Sequence, residues 1–295
     1  NLMNPELPYW RSLLFLPANQ DRFIDGAVKR NADAYVLDLE DSVPLSEKAA
    51  TRDGLQDAVA RLSSVGVEVL VRINRPWRLA LRDIEASVSD GVTALALPKV
   101  PDPGYVCAVS EILEELEAER GLESGHTRLV VMIETPQAYF QAREIASANA
   151  RVVGMTLGQE DFALETGMLP EPEGLFTPAV QIMVAARAAG VLPLGFVGSI
   201  AEYRDEEKFR STIRQARRLG FVGSFCIHPL QVKVLNEEMM PTEDELTRAR
   251  AIVAAYNEAK AQGRGSIEFE GKMLDEPIVK RSNQLLVLAE HLQRS

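Results

Sequence analysis

The sequence predicts an α/β protein in which eight strand–helix units close into a (β/α)8 barrel, followed by a C-terminal extension. Three observations predict it. Eight short apolar runs recur along the chain, each nearly continuous rather than alternating, as parallel strands covered on both faces should be. The longer stretches between them carry a single apolar stripe at helical spacing. No Gly-x-Gly-x-x-Gly turn opens the first helix, so the alternative, an open doubly wound sheet, lacks its dinucleotide fingerprint.

The expected strands are Leu13–Leu16, Tyr35–Leu39, Val67–Ile73, Ala94–Leu97, Leu129–Ile133, Val152–Leu157, Leu192–Val197 and Phe225–Ile227. Asp21–Asn31 is expected to be helical, with Phe23, Ile24, Ala27 and Val28 on one face. Pro103–Arg120 carries Val109, Ile112, Leu113 and Leu116 on its stripe. Asp205–Leu219 carries Phe209, Ile213, Ala216 and Leu219, and Gly220 supplies a helix stop. An eighth helix is expected near Thr242–Gln262. The barrel is therefore placed at residues 9–262. Residues 263–295 form an added segment that covers a barrel mouth or reaches a neighbouring subunit. Asn1–Pro8 reads as a loose terminus or the remnant of a tag.

Composition narrows the function. The chain has 295 residues, 46% hydrophobic and 25% charged, enough to bury a large core without staples. A net charge of −11 repels phosphate backbones and argues against nucleic acid as a partner. An anionic substrate must then be held by a local cation or a metal. No apolar run is long enough to span a bilayer, and no secretory signal precedes the first strand, so no membrane partner and a cytoplasmic location are expected. Cys107 and Cys226 read as two buried, reduced thiols. Only His126, His228 and His291 are present, which excludes a histidine-rich zinc or copper site; a metal here would be a hard cation on carboxylates.

Reactive groups of such a barrel gather where the strands end. The second run ends in Asp38, Glu40 and Asp41, the third in Arg72 and Asn74, and the fourth in Pro98 and Lys99. Glu134 ends the fifth, Glu160 and Asp161 the sixth, and His228 the eighth. The opposite ends show no comparable cluster. So many acids at one mouth repel one another unless a cation sits among them. Glu134 and Asp161 come from neighbouring strands and can share one Mg2+, which takes one or two carboxylates and leaves its other positions to water and substrate. Arg72 can fork onto a carboxylate or enolate oxygen of that substrate. Plainer readings stand beside these. Glu134 can equally be a rim ion-pair partner of Arg72, and Asp161 shares the ambiguity. Asp38, Glu40 and Asp41 can form a solvated loop or cap the helix near Glu47. If functional, they and Lys99 would stand behind the ligands rather than touch the ion. Lys99 reads as a Schiff-base lysine or as a rim cation satisfying acids. His228 reads as structural, and Asp275 by position alone as a surface residue.

Eight segments in order then carry a resemblance. They are Arg11-Ser-Leu-Leu-Phe-Leu-Pro17, Asp38-Leu-Glu-Asp-Ser-Val43, Val71-Arg-Ile-Asn74, Leu97-Pro-Lys-Val100, Met132-Ile-Glu-Thr-Pro136, Leu157-Gly-Gln-Glu-Asp-Phe162, Ile227-His-Pro-Leu-Gln231 and Gly271-Lys-Met-Leu-Asp275. From Arg11 to about Leu288 the chain resembles the citrate lyase β-subunit-like family of the HpcH/HpaI aldolase superfamily, which also contains malyl-CoA and citramalyl-CoA lyases. The resemblance implies a TIM barrel and a Mg2+-dependent carbon–carbon lyase that cleaves a 3-hydroxyacyl thioester into a 2-keto acid and an acyl thioester. It implies that Glu134 and Asp161 bind the metal and that Arg72, with Glu134, faces the substrate. It also implies that Asp275 is supplied by a neighbouring subunit as an acid–base group. The partners it implies are a small-molecule acyl-CoA thioester and further copies of the chain, in a trimer or hexamer.

This sequence departs from the family pattern at four places. Pro17-Ala18 stands where Pro-Gly is usual, Gly26 where a lysine is common, and Ala179 where an arginine usually opens a helix. Leu194-Gly-Phe-Val-Gly-Ser-Ile200 replaces a strand end that usually carries aspartates. These departures touch the outer part of the substrate and its carrier rather than the core reaction. Alternatives on the same site are a thioesterase or synthase, an aldolase acting on free aldehydes, and a carrier-protein-dependent or non-catalytic subunit of a larger lyase complex.

Overall fold

A computed structural model of the protein describes residues 7–27, 29–263 and 266–292. Val28 and residues 1–6 of the expected loose terminus lie outside the described residues. The chain divides into two compact units, Leu7–Met239 and the chain from Met240 onward.

The first unit runs β1 (Ser12–Pro17), α1 (Asp21–Ala27), β2 (Ala34–Asp38), α2 (Lys48–Asp53), α3 (Leu55–Ser63), β3 (Glu68–Arg72), α4 (Trp77–Ser87), β4 (Ala94–Leu97) and α5 (Pro103–Arg120). It continues with β5 (Arg128–Ile133), α6 (Pro136–Tyr139), α7 (Ala142–Ala146), β6 (Val152–Leu157), α8 (Gln159–Thr166), α9 (Pro172–Ala189), β7 (Leu192–Leu194), α10 (Glu206–Leu219), β8 (Ser224–Cys226) and α11 (Pro229–Glu238). The second unit holds α12 (Glu243–Ala261), β9 (Ile267–Phe269), β10 (Lys272–Leu274) and α13 (Glu276–Leu292).

Strands β1 to β8 pair in parallel, in the order β7-β6-β5-β4-β3-β2-β1-β8. A parallel bridge between Leu194 and Gly223 joins the two ends. There Gly195 N–H donates to Gly223 O at 2.8 Å and Val222 N–H to Pro193 O at 3.1 Å. The result is the expected (β/α)8 barrel, nearly closed. β7 stops at Leu194, short of the expected end, because Gly195 turns to φ 139° and leaves the extended path.

Two hydrophobic layers follow from the alternation of strand side chains. Leu13, Ala34, Val36, Leu70, Ala96, Val130, Met132 and Phe225 fill the barrel interior, with Trp10 beneath them. Trp10 is almost fully buried and donates its indole N–H to Glu68 Oε2 at 2.6 Å. The alternate set, including Leu14, Leu37, Val71, Leu95, Val131 and Ile133, packs outward against the helices. Helix ends obey local chemistry: Asp102 and Asp205 cap α5 and α10 through backbone N–H groups, and Gly220 ends α10 in the left-handed conformation.

The division falls before α12. In the second unit Ile252 of α12 buries with Leu274 and Val279, and Tyr256 and Phe269 pack beside them. α12 therefore shares its core with the hairpin and α13. Cys226 is buried in β8, where burial pushes its thiol well up, whereas Cys107 on α5 is only half-buried. The expectation of two buried thiols holds for one of them; the Cys107 thiol is partly exposed, 3.6 Å from Ala148 O. No helix among the described residues is long and apolar enough to cross a membrane.

Candidate active site

Parallel register creates the first pair. Asp38 and Arg72 are partners at the last rungs of β2 and β3, and both continue the inward-facing sets of their strands. Arg72 Nε donates to Asp38 Oδ1 at 2.7 Å and Nη2 to Oδ2 at 2.8 Å. Nη1 lies 3.0 Å from Glu40 Oε2 and 3.4 Å from Asp41 Oδ2. The guanidinium stands over the Phe15 ring, 4.6 Å from its centroid. Burial opposes charge on Asp38, but Arg72 and the N–H groups of Ser42 and Glu40 hold its carboxyl below the usual carboxylate range.

The turn carrying Glu40 is braced from behind. Lys48 Nζ donates to Leu39 O at 2.6 Å and Glu40 O at 2.7 Å. Asn74 Nδ2 donates to Leu39 O at 2.9 Å and to Asp83 Oδ2 at 2.7 Å, and Arg52 Nη1 donates to Asp83 Oδ1 at 2.9 Å. Asp38 and Glu40 thus form neither a solvated loop nor a helix cap; their carboxylates are largely buried against Arg72.

Glu134 follows β5 at the next inward position and is 2% exposed. Its Oε2 accepts the backbone N–H of Lys99 at 3.0 Å. Lys99 has φ 48°, a left-handed backbone that is uncommon without glycine. Its ammonium lies 3.4 Å from Glu40 Oε1 and 3.3 Å from Asp161 Oδ1. Burial, reinforced by the charges of Glu40 and Asp161, pushes the Glu134 carboxyl up to about 8. Burial also raises Glu40. On Lys99 the surrounding acids outweigh burial and raise the amine further, the opposite of what a Schiff-base nucleophile needs. Lys99 is the cation among acids. Arg72 gives its fork to Asp38, so Glu134 is not the ion-pair partner weighed for it.

Gly158 makes room for Glu134. A Cβ at Gly158 would stand 2.3 Å from Glu134 Cγ and 2.6 Å from Oε1. The contact arises because Gly158 N–H donates to Ile133 O at 2.9 Å, which seats the end of β6 against the end of β5. Asp161 then enters from the first turn of α8, half-exposed at the mouth.

These ends enclose a cavity of about 470 Å3. Its lining combines Asp38, Asp41, Arg72, Glu160 and Asp161 with the apolar Phe15, Phe225, Phe196, Ile200 and Ile227. Phe15 and Phe225 stack at 5.1 Å. His228 is structural, as expected: its Nδ1 accepts Leu230 N–H at 3.1 Å and its ring stacks on Tyr203 at 4.4 Å. Asp275 is exposed in the second unit, between β10 and α13, where its carbonyl accepts the N–H groups of Ile278 and Val279. Sequence reasoning missed Gly158, Phe15, Phe225 and the Lys48–Asn74–Asp83 brace. Only the strand-end position of Gly158 could have pointed to it.

A family model described as HpcH/HpaI aldolase/citrate lyase matches residues 11–229, which contain every member of this cluster. The chain belongs to that family. Among the relatives of this HpcH/HpaI member is the citrate lyase subunit beta of Leuconostoc mesenteroides subsp. cremoris, 33% identical over 282 residues, covering 95% of this chain and 93% of that protein. Another is the L-malyl-CoA/beta-methylmalyl-CoA lyase of Cereibacter sphaeroides, 30% identical over 303 aligned positions, covering 95% of this chain and 94% of that one. A solved structure of protein CitE from Mycobacterium tuberculosis, in complex with magnesium, acetoacetate and coenzyme A, superposes with a TM-score of 0.75 at 28% identity, covering 97% of this chain and all of that one. The Leuconostoc and Cereibacter relatives are carbon–carbon lyases.

The residues of this HpcH/HpaI member fit a divalent ion. Glu134 is a buried carboxyl whose charge is incompletely compensated; Lys99 donates its backbone N–H to Glu134 and sets its ammonium 3.3 Å from the second acid, Asp161. Among the described residues no three His, Cys, Asp or Glu side chains gather as a closed metal cage. Two carboxylates with the other positions left open are a donor set that Mg2+ accepts.

Proposed function

We propose that this protein is a Mg2+-dependent lyase that cleaves a 3-hydroxyacyl-CoA thioester into a 2-keto acid and an acyl-CoA. The observation that supports the reading is the buried Glu134 carboxyl, raised in part by the charge of Asp161, together with Arg72 fixed by Asp38. Glu134 and Asp161 would hold the ion. When bound, it supplies Lewis-acid charge to the hydroxyl and carboxylate oxygens of the substrate.

The chain's own groups do the rest. Arg72, fixed in plane by Asp38, offers stationary positive charge where charge develops on oxygen. In cleavage the substrate hydroxyl loses its proton, its oxygen becomes the keto carbonyl, and the C–C bonding pair leaves as the thioester enolate. That enolate carbon then takes a proton. Asp275, contributed by a neighbouring copy in a homo-oligomer, would carry the proton between the hydroxyl oxygen and the enolate carbon. Lys99 keeps Glu40 and Asp161 compensated and forms no covalent bond.

The test is a panel of malyl-, citramalyl- and citryl-CoA with Mg2+, scored for keto acid and acyl-CoA released together. Chelator, Glu134→Gln and Asp161→Asn should each remove turnover while circular dichroism is unchanged. Full activity in excess chelator would end the metal reading, and free CoA appearing with the intact hydroxy acid would make the protein a thioesterase.

A further inference from the structure

The lining of the cavity holds one cation, Arg72, whose three nitrogens face Asp38, Glu40 and Asp41; Lys99, shared by Glu40 and Asp161, lies outside the lining. Much of the remaining wall is carbon. Phe15, under the Arg72 guanidinium, stacks on Phe225, Phe196 and Ile200 come from the segment after β7, and Ile227 follows β8. The hydroxyls of Ser224 and Thr156 are turned to the backbone, Ser224 Oγ donating to Phe225 O at 3.0 Å and Thr156 Oγ1 lying 3.5 Å from Leu157 O.

That wall is held in place. Gln159 donates its side-chain amide to Phe196 O and accepts Gly198 N–H at 3.0 Å. Gln231 Nε2 donates to Ile200 O at 2.9 Å, and Ser199 Oγ bonds Glu160. The segment is the one where the sequence reads Leu194-Gly-Phe-Val-Gly-Ser-Ile200. A substituent pointing at this wall meets an apolar surface backed by a fixed backbone.

We propose that Phe196, Ile200 and Ile227 determine specificity: the site takes thioesters whose keto-acid half carries one free carboxylate and a hydrogen or methyl group, and rejects those with a second carboxylate. The inference rests on the lyase reading above and narrows it. One carboxylate is served by Arg72. A second would be stripped of water against phenyl and branched aliphatic side chains, with no unshared cation among the described lining residues and with Glu160 and Asp161 repelling it. A hydrogen or methyl there meets only the surface it prefers.

Two measurements test it. The first compares kcat/KM for malyl-, citramalyl- and citryl-CoA with Mg2+, where citryl-CoA should trail citramalyl-CoA by at least ~100-fold. Ile227→Arg, at a partly exposed position, should recover at least ~10-fold of that gap for citryl-CoA alone, and Ile200→Lys provides an independent variant. The second is calorimetric binding of pyruvate and oxaloacetate to the Mg2+-loaded protein, in which pyruvate should bind more tightly. Citryl-CoA cleaved as well as citramalyl-CoA, or oxaloacetate bound as tightly as pyruvate, overturns the inference while leaving the lyase reading intact. If no thioester is cleaved, the lyase reading fails, and the calorimetric comparison alone decides whether the wall excludes a second carboxylate.

Discussion

Asp38 grips Arg72 through two parallel hydrogen bonds, at 2.7 and 2.8 Å, between partner positions of adjacent strands. The pair orients the guanidinium before any substrate arrives. Asp38→Ala leaves Arg72 largely buried beside Glu40 with its plane released. Removing one member of such a pair costs roughly 3–5 kcal/mol of stability. A lowered urea midpoint and a loss of kcat/KM of at least ~100-fold are expected. Denaturation and steady-state kinetics on the same preparation check both. Unchanged kinetics would show that the orientation of Arg72 is not used.

Gly158→Ala places a methyl group where Glu134 Cγ and Oε1 stand. Overpacking of this kind costs about 1–3 kcal/mol. The larger effect expected is on the ion: Mg2+ affinity should fall by at least ~10-fold as Glu134 is pushed aside. Isothermal titration with Mg2+ reads this directly, and wild-type affinity in the variant would remove the steric argument.

The raised Glu134 carboxyl makes two linked predictions. Without metal the folded protein holds this proton up to about 8, whereas the unfolded chain releases it near 4.5. The folded state thus binds more protons between those values, and the stability of the metal-free protein should decline as pH rises through that window. An ion must displace the proton, so Mg2+ affinity should rise with pH up to about 8, with close to one proton released per ion at pH 7. Titrations in buffers of different ionisation enthalpy count that proton. Glu134→Gln should flatten the stability decline and abolish the proton release.

At the opposite end of the barrel Arg151 and Glu117 form a second two-point pair, both contacts 2.7 Å, and Glu117 also accepts the N–H groups of Gly125 and Thr127. Burial opposes its charge, but Arg151 and these N–H groups hold the carboxyl below its ordinary value. Its stabilisation is present above that value and lost as pH falls through the lowered one. Glu117→Ala should destabilise by roughly 3–5 kcal/mol, with kcat within about twofold of wild type at a temperature where it stays folded. A large kcat loss would mean that this end communicates with the mouth.

Much of the mouth was legible because strand ends are marked by chemistry: apolar runs stop, and Asp38, Arg72, Lys99, Glu134 and Asp161 follow them. Facing partners were less legible. That Arg72 belongs to Asp38 rather than Glu134 depends on the β2–β3 register, which no local pattern encodes. Lys99 needed its left-handed backbone to be seen before its N–H could be placed on Glu134. The short β7 was hidden because Phe196 and Val197 extend an apolar run that Gly195 has already bent away. α12 reads as the barrel's eighth helix by order, yet its stripe is buried with Leu274 and Val279, a preference that spacing alone does not reveal.

Trp10, wedged under the interior side chains and tied to Glu68, stoppers the barrel from below. A vessel corked at one end has a single doorway. Whatever is cut in two inside it must send both fragments out along the path by which the whole arrived, so each departing fragment stands in the way of the next molecule.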